Sequence, residues 1–217
     1  MKLIIQLVLW VVIIFLGYMV FNAVYGPVKF NQVKERRYAQ VIERMQDIRA
    51  AQLAHHEVTG TYAKDFPSLI SFLDTAEFVL TQRRDTTVLD EEYRRTYNVD
   101  QYVDRVMVDT LGYASVKDSL FKDGRHKQMM NVPVKGVDAQ FEMDAGTVVK
   151  NDNRLPVFEV KVDKAVILHD QDKDLVMQEK QVVSVDGVNG AYLRVGSMEE
   201  VNTNGNWPQS YGIGNNQ

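Results

Sequence analysis

The chain has 217 residues, 45% of them hydrophobic and 25% charged, with a formal net charge of −4 and no cysteine. These are globular proportions, so wholesale disorder is excluded, and the lack of cysteine removes disulfides, thiol catalysis, zinc–thiolate sites and lipidation at a cysteine. Residues 28–50 carry a balance of +3, and with Lys2 also counted the total leaves −8 for residues 51–217; this acidic remainder argues against nucleic acid as a partner.

Residues 3–25 form an uncharged, apolar run interrupted only by Gln6 and Asn22. As a helix at about 1.5 Å per residue it spans roughly 34 Å, enough to cross a bilayer core. Trp10, Tyr18 and Tyr25 are amphipathic aromatics suited to the interface, and Tyr25 with Gly26-Pro27 marks the exit. A signal peptide has an apolar core of about 7 to 15 residues and a small-x-small cleavage site. This run is longer, and Phe21-Asn22-Ala23 and Val24-Tyr25-Gly26 lack the first small residue. The expectation is a retained anchor over residues 1–26, with the native protein starting at Met1, or at Lys2 after Met removal. Within it, Gln6, Gly17 and Asn22 suit polar or close contact with other helices, so membrane-protein subunits are expected partners beside the bilayer itself. The basic segment after the run fits lipid headgroups.

Residues 27–59 continue as an amphipathic helix. Pro27, lacking an amide hydrogen, fits a first turn or a kink. Tyr38, Val41, Met45 and Ile48 recur at spacings of three, four and three and draw one apolar stripe. The stripe is expected to pack on the chain's own distal domain, with partner helices as the competing occupant. Gln52 and His55 extend it with polar residues, and Thr59-Gly60 closes the helix as a C-terminal glycine cap would. Asp65 is a candidate N-cap for a short helix that carries Leu69, Phe72 and Leu73 inward.

A membrane helix, a Pro at its exit, an amphipathic continuation, then Gly60-x-Tyr62 and a short helix with Phe66 and Leu69 resembles the type IV pilins and type II secretion pseudopilins. The likeness covers about residues 3–73. It implies that one helix serves both membrane and domain, with an antiparallel sheet packed on its distal half. The family's basic leader, Gly at the cut and Glu five residues on are absent. Gly17 lies in mid-run, the fifth residue after it is Asn22, and no acid precedes Glu35. The resemblance therefore implies an unprocessed relative or structural analogue, not a fibre-forming pilin.

Residues 60–127 read as a short-helix region. Asp90-Glu91-Glu92-Tyr93-Arg94-Arg95 fits an exposed helical turn, Val116 to Phe121 a short helix, and Tyr97, Tyr102, Val103, Val106, Val108 and Leu111 apolar contacts. Residues 128–198 read as an antiparallel sheet region. Its strands are expected at residues 129–134, 139–149, 157–168, 182–185 and 191–198. Turn signals at Lys135-Gly136, Asn151-Asp152-Asn153, Asp186-Gly187 and Asn189-Gly190 separate them. Phe158, Val160 and Val162 alternate with Glu159, Lys161 and Asp163, the period of a half-exposed strand. Residues 199–217, rich in Gly and Asn, read as a polar flexible tail in which Trp207 and Tyr211 can dock. The fold class is α+β.

Three small constellations bear on chemistry. His55-His56-Glu57 offers ligand types, but adjacent helical residues point about 100° apart. Asp170, Asp172 and Asp174 have the spacing that starts a calcium loop, yet Leu175 stands at the sixth position in place of Gly and Gln181 at the twelfth in place of Glu. A solvated hairpin turn is the expected reading, with calcium as the weaker one, which some pseudopilins' calcium sites also suggest. His126, between Arg125 and Lys127, reads as a basic surface turn. No phosphate loop, nucleophile elbow or paired-acid motif occurs, so neither enzyme activity, nor a cofactor, nor a small-molecule substrate is expected. The sequence points to a non-enzymatic, pseudopilin-like structural or assembly subunit of a secretion-type bacterial envelope complex. It would be single-pass in the inner membrane with a periplasmic C-terminal domain. The alternative is an accessory or sensor subunit of an ion-driven energising or transport complex, with an exported partner-binding domain.

Overall fold

The computed structural model describes residues 2–185, 187–208 and 211, the side chains of Lys2 and Asn22 excepted. One helix, α1 (Lys2–Thr59), runs through Pro27 without a break. Its course changes character at Phe30, the first buried residue. Before Phe30 the apolar side chains lie exposed, and after it Tyr38, Val41, Ile42, Met45, Ile48, Ala51 and Ala54 are buried in turn. The expected stripe of Tyr38, Val41, Met45 and Ile48 is thus the spine of the domain's own core. Each such side chain contributes about 1.5–3 kcal/mol on burial. Gln52 continues the stripe inward because its amide is fully paired, donating to the Ala63 carbonyl and accepting from the Ala63 N–H, both at 2.9 Å. Gly60 at φ 76° lets the chain turn back there, a conformation that costs other residues steric strain.

Helix α2 (Phe66–Thr75) starts where Asp65 accepts from the Ser68 N–H, and buries Phe66, Leu69 and Leu73. The region expected to hold only short helices then departs from that reading. β1 (Glu77–Leu89) and β2 (Tyr102–Ser115) form an antiparallel two-stranded ribbon, with α3 (Glu91–Tyr97), capped by Asp90, at its far end. Tyr97, Tyr102, Val106, Val108 and Leu111 are exposed there and supply no core contact. The run Val106-Met107-Val108 is apolar on both sides of the ribbon, which erases the alternation that announces a strand. Helix α4 (Val116–Leu120) and a 3-10 turn (Arg125–Gln128) lead into the second half.

β3 (Glu142–Lys150), β4 (Asn153–Asp163) and β5 (Tyr192–Gly196) form an antiparallel sheet in the order β3-β4-β5. Asn151 and Asp152, both at positive φ, make the tight β3–β4 turn. Phe158, Val160 and Val162 face inward as their alternation indicated. Four expectations need correction. Residues 129–134 form only an isolated bridge, Asn131 to Gln140, because Pro133 has no N–H for a longer ladder. β4 stops at Asp163, whose side chain accepts from the Ala165 N–H and starts α5 (Lys164–Ile167). Residues 182–185 pair with no strand, and Val183 and Val185 are 90% and 94% exposed. The segment expected as a flexible tail begins docked: Val195 bridges to Gly205, and Trp207 and Tyr211 pack against the core. Asp186, residues 209–210 and residues 212–217, which include Gly212 and Gly214, lie outside the described residues.

Candidate interaction site

The membrane-compatible half of α1 and its seat on the domain are the places where the chain concentrates unusual chemistry. Helix α1 is long and apolar enough to span a membrane. Gln6, Trp10 and Gly17 are all exposed on it, and at about 100° per residue they fall within one arc of about 40°. An added Cβ at Gly17 would meet nothing within 4 Å. Asn22 sits about 160° from Gln6 by the same count, so the four candidate contact residues do not share one side; its side chain lies outside the described residues.

Just beyond the exposed apolar half of α1, α6 (Lys173–Lys180) lies against it and an ionic cluster ties the two together. Lys164 is fully buried, and its Nζ donates to the Glu179 carbonyl at 2.7 Å, to Glu179 Oε1 at 3.1 Å and to the Val188 carbonyl at 2.8 Å. Those three acceptors match the three protons of an ammonium. Glu179 is drawn from the other side by Lys34 Nζ, 3.0 Å from Oε2, and accepts from the Tyr38 hydroxyl at 3.3 Å. Burial pulls the Lys164 ammonium below its ordinary pKa, against the opposing pull of Glu179. Burial, reinforced by the Glu179 carboxylate, pushes the Tyr38 phenol far above its ordinary value. One carboxylate thus joins α1, α6 and the start of α5.

A second tie joins α1 to the segment that precedes α6. Arg37 holds Asp170 with two parallel bonds of 2.7 and 2.8 Å and donates to the Ile167 carbonyl at 2.8 Å. Its hydrogen bonds, with that of Gln171, hold the Asp170 carboxyl well below the usual range. The triad Asp170, Asp172 and Asp174 is therefore not the expected hairpin turn. Asp172 is the N-cap of α6, accepting from the Asp174 and Leu175 N–H groups, and Asp170 belongs to Arg37. Among the described residues no group of three His, Cys, Asp or Glu side chains is placed to hold a metal ion. A cleft of about 470 Å³ separates these residues from Ala23, Gly26, Pro27, Lys29 and Phe30 at the exit.

The two histidine readings diverge. His55 stays at the helix end, its Nδ1 2.7 Å from the Thr61 carbonyl oxygen, with its ring against Phe72. His126 is not on the surface: it is buried, with Nε2 3.1 Å from Asp74, and Nδ1 has no partner among the described residues. Asp74 on α2, itself exposed, meets the ring at the edge of the core, and Phe121 packs beside it. The Lys164–Glu179 pair was absent from the sequence reading, although a signal existed. Phe158, Val160 and Val162 set an inward parity, and Lys164 is the next member of that series.

The fold and this seat define a class: an α+β domain built on the continuation of a helix able to cross a membrane. No protein-family profile, curated protein or solved structure matches the chain.

Proposed function

We propose that the chain is a non-enzymatic, pseudopilin-like structural or assembly subunit of a secretion-type bacterial envelope complex. It is held single-pass in the inner membrane, with its domain in the periplasm. The observation that carries this reading is α1, exposed and apolar over its first half and the buried spine of the domain over its second. That division of labour is what the pilin resemblance implies, and the sheet that contains β4 and β5 lies over the buried half. Once in the membrane, the exposed half has no hydrophobic drive toward other helices. Its assembly would rest on close packing and on polar contacts between helices, for which Gln6, Gly17 and Asn22 are the suited residues. The Lys164–Glu179–Lys34 cluster then passes the pose of the helix to the domain.

The test is to replace residues 3–25 by an unrelated membrane anchor and to identify what copurifies from gently solubilised membranes. The expected result is a folded domain that has lost its self-associating, secretion-type partners, with protease reaching it only from the periplasmic side. Retention of one stoichiometric motor or transporter partner by the chimera would overturn the reading in favour of an accessory subunit of an ion-driven complex.

A further inference from the structure

The ribbon of β1 and β2 is the part of the domain with the least support from the rest of the chain. Among the described residues, no side chain of either strand is buried. A two-stranded ribbon by itself is marginal in water, and its unpaired edges are templates for a further strand. This one also exposes Val79, Tyr102, Val106, Val108 and Tyr113. In the β1–β2 register, Val79 opposes Tyr113, and a bulge at Leu111 ends the regular stretch of β2.

The outer edge of β2 fits a second copy of itself. Along an edge strand only every second residue turns its N–H and C=O outward. An antiparallel pairing of β2 with its own copy must therefore be centred on a residue, not between two. Few centres exist, and the sequence separates them. Centring on Met107 places Arg105 opposite Asp109 twice, Val106 opposite Val108 twice, and Asp104 opposite Thr110 twice. Centring on Val106 sets Asp104 against Val108 and Arg105 against Met107. Centring on Val108 sets Asp109 against Met107 and Arg105 against Leu111. Centring on Asp104, Arg105 or Asp109 puts like charges face to face on the axis. Opposite charges directly across a ladder attract and like charges repel, so a single register is selected. The edge of β1 has no such solution: the centre that pairs Arg83 with Asp85 sets Arg84 against its own copy.

We infer that two copies of this chain join edge to edge through residues 104–110 of β2, antiparallel and centred on Met107, making one four-stranded sheet from two ribbons. In that sheet Val106 and Val108 of both copies fall side by side on one face. Arg105 and Asp109 form two symmetric ion pairs on the other. Asp109 already holds Arg84 within its own ribbon at 2.7 Å, which presets the carboxylate on that face. The inference does not depend on the pseudopilin reading, because the contact lies in the domain and not in the membrane helix.

The natural chain has no cysteine, so single cysteines report the contact in the full-length protein in detergent micelles. At the axis the two Cα atoms of residue 107 stand about 4.5–5.5 Å apart, within disulfide reach. Under mild oxidation Met107→Cys is expected to give mostly disulfide dimer, and Thr86→Cys on the far edge at least tenfold less. In the Met107→Cys background, Arg105→Asp alone faces Asp109 of its copy, and Asp109→Arg alone faces Arg105. Each is expected to lower crosslinking at least tenfold. Mixed together, the two variants complement at both ends of the ladder, and the heterodimer should return to the parent level. Circular dichroism of each variant checks folding. Arg105→Asp, which leaves the Arg84 pair intact, decides alone if Asp109→Arg is misfolded. Equal crosslinking at residues 86 and 107 overturns the inference. So does parent-level crosslinking by Arg105→Asp, as an anchor-driven dimer would give, or a mixture of folded variants without recovery.

Discussion

Replacing Glu179 by alanine isolates what the ionic seat of α1 contributes. The substitution leaves the Lys164 ammonium buried with only the Glu179 and Val188 carbonyls, and strips partners from Lys34 and the Tyr38 hydroxyl. Breaking a buried pair by removing one member costs about 3–5 kcal/mol, because the remaining charge is left without compensation. Lys34 recovers part of its loss, since its side chain reaches solvent, so the effect falls at the lower half of that range. The opposite deletion, Lys164→Met, leaves Glu179 with Lys34 and Tyr38, and should cost about 1–3 kcal/mol as a lost charged hydrogen-bond partner. The combined Lys164→Met, Glu179→Met, Tyr38→Phe variant removes every buried polar member and should lie within about 1–2 kcal/mol of the parent. The assay is urea unfolding of the full-length protein in a nonionic detergent, followed by fluorescence of Trp207 in a Trp10→Phe background. A cost below about 1 kcal/mol for Glu179→Ala would refute the reasoning, as would a combined variant less stable than Glu179→Ala.

Three further outcomes are expected. Met45→Asp puts an unpaired carboxylate into the core, and should destabilise the domain by several kcal/mol in the same assay. If Met45 instead served a partner, the isolated protein would keep its stability. Gly196→Ala sets a side chain at φ 79° with its Cβ 2.2 Å from the Phe158 carbonyl oxygen. It should therefore cost well over about 1 kcal/mol, and an unchanged melting temperature would contradict the close approach of Gly196 to β4 at the end of β5. The Asp170 carboxyl is held below its unfolded value of 3.8 by Arg37 and Gln171, so its contribution is present above pH 3.8 and fades as the pH falls further. Asp170→Asn should flatten that part of the acid limb in pH-dependent denaturation, and an unchanged acid limb would refute the assignment.

What could be read from the residues divides along physical lines. The stripe of α1, the Asp65 cap, the exposed helical turn at residues 90–95 and the Asn151-Asp152 turn were legible because each depends on a few neighbours in the sequence. The ribbon was not legible: Val106-Met107-Val108 and Val79-Leu80 offer apolar side chains to both faces, so no period stood out. The Asp170 segment, expected as a hairpin turn, instead leads into a helix because Asp172 caps α6, while Asp170 is held by Arg37, more than a hundred residues away. His126 and Lys164 meet Asp74 and Glu179 respectively, partners that only the tertiary fold supplies. The docking of Trp207 depends in the same way on a strand edge at β5, and Gly205 makes room for the indole, since a Cβ there would lie 2.3 Å from the ring.

That α1 runs unbroken through Pro27 from one half to the other has a mechanical consequence. From Pro27 to Thr59 the helix rises about 50 Å, so with its first half seated in a bilayer the domain stands on a rigid mast and not on a tether. A tilt of about 10° at the membrane would swing the far end of such a mast by about 9 Å, and a rotation about its axis would turn the β1–β2 ribbon through the same angle. Domains hung on flexible linkers average such movements away. A continuous helix, if its first half lies in a bilayer, carries small changes in its pose out to the domain and enlarges them.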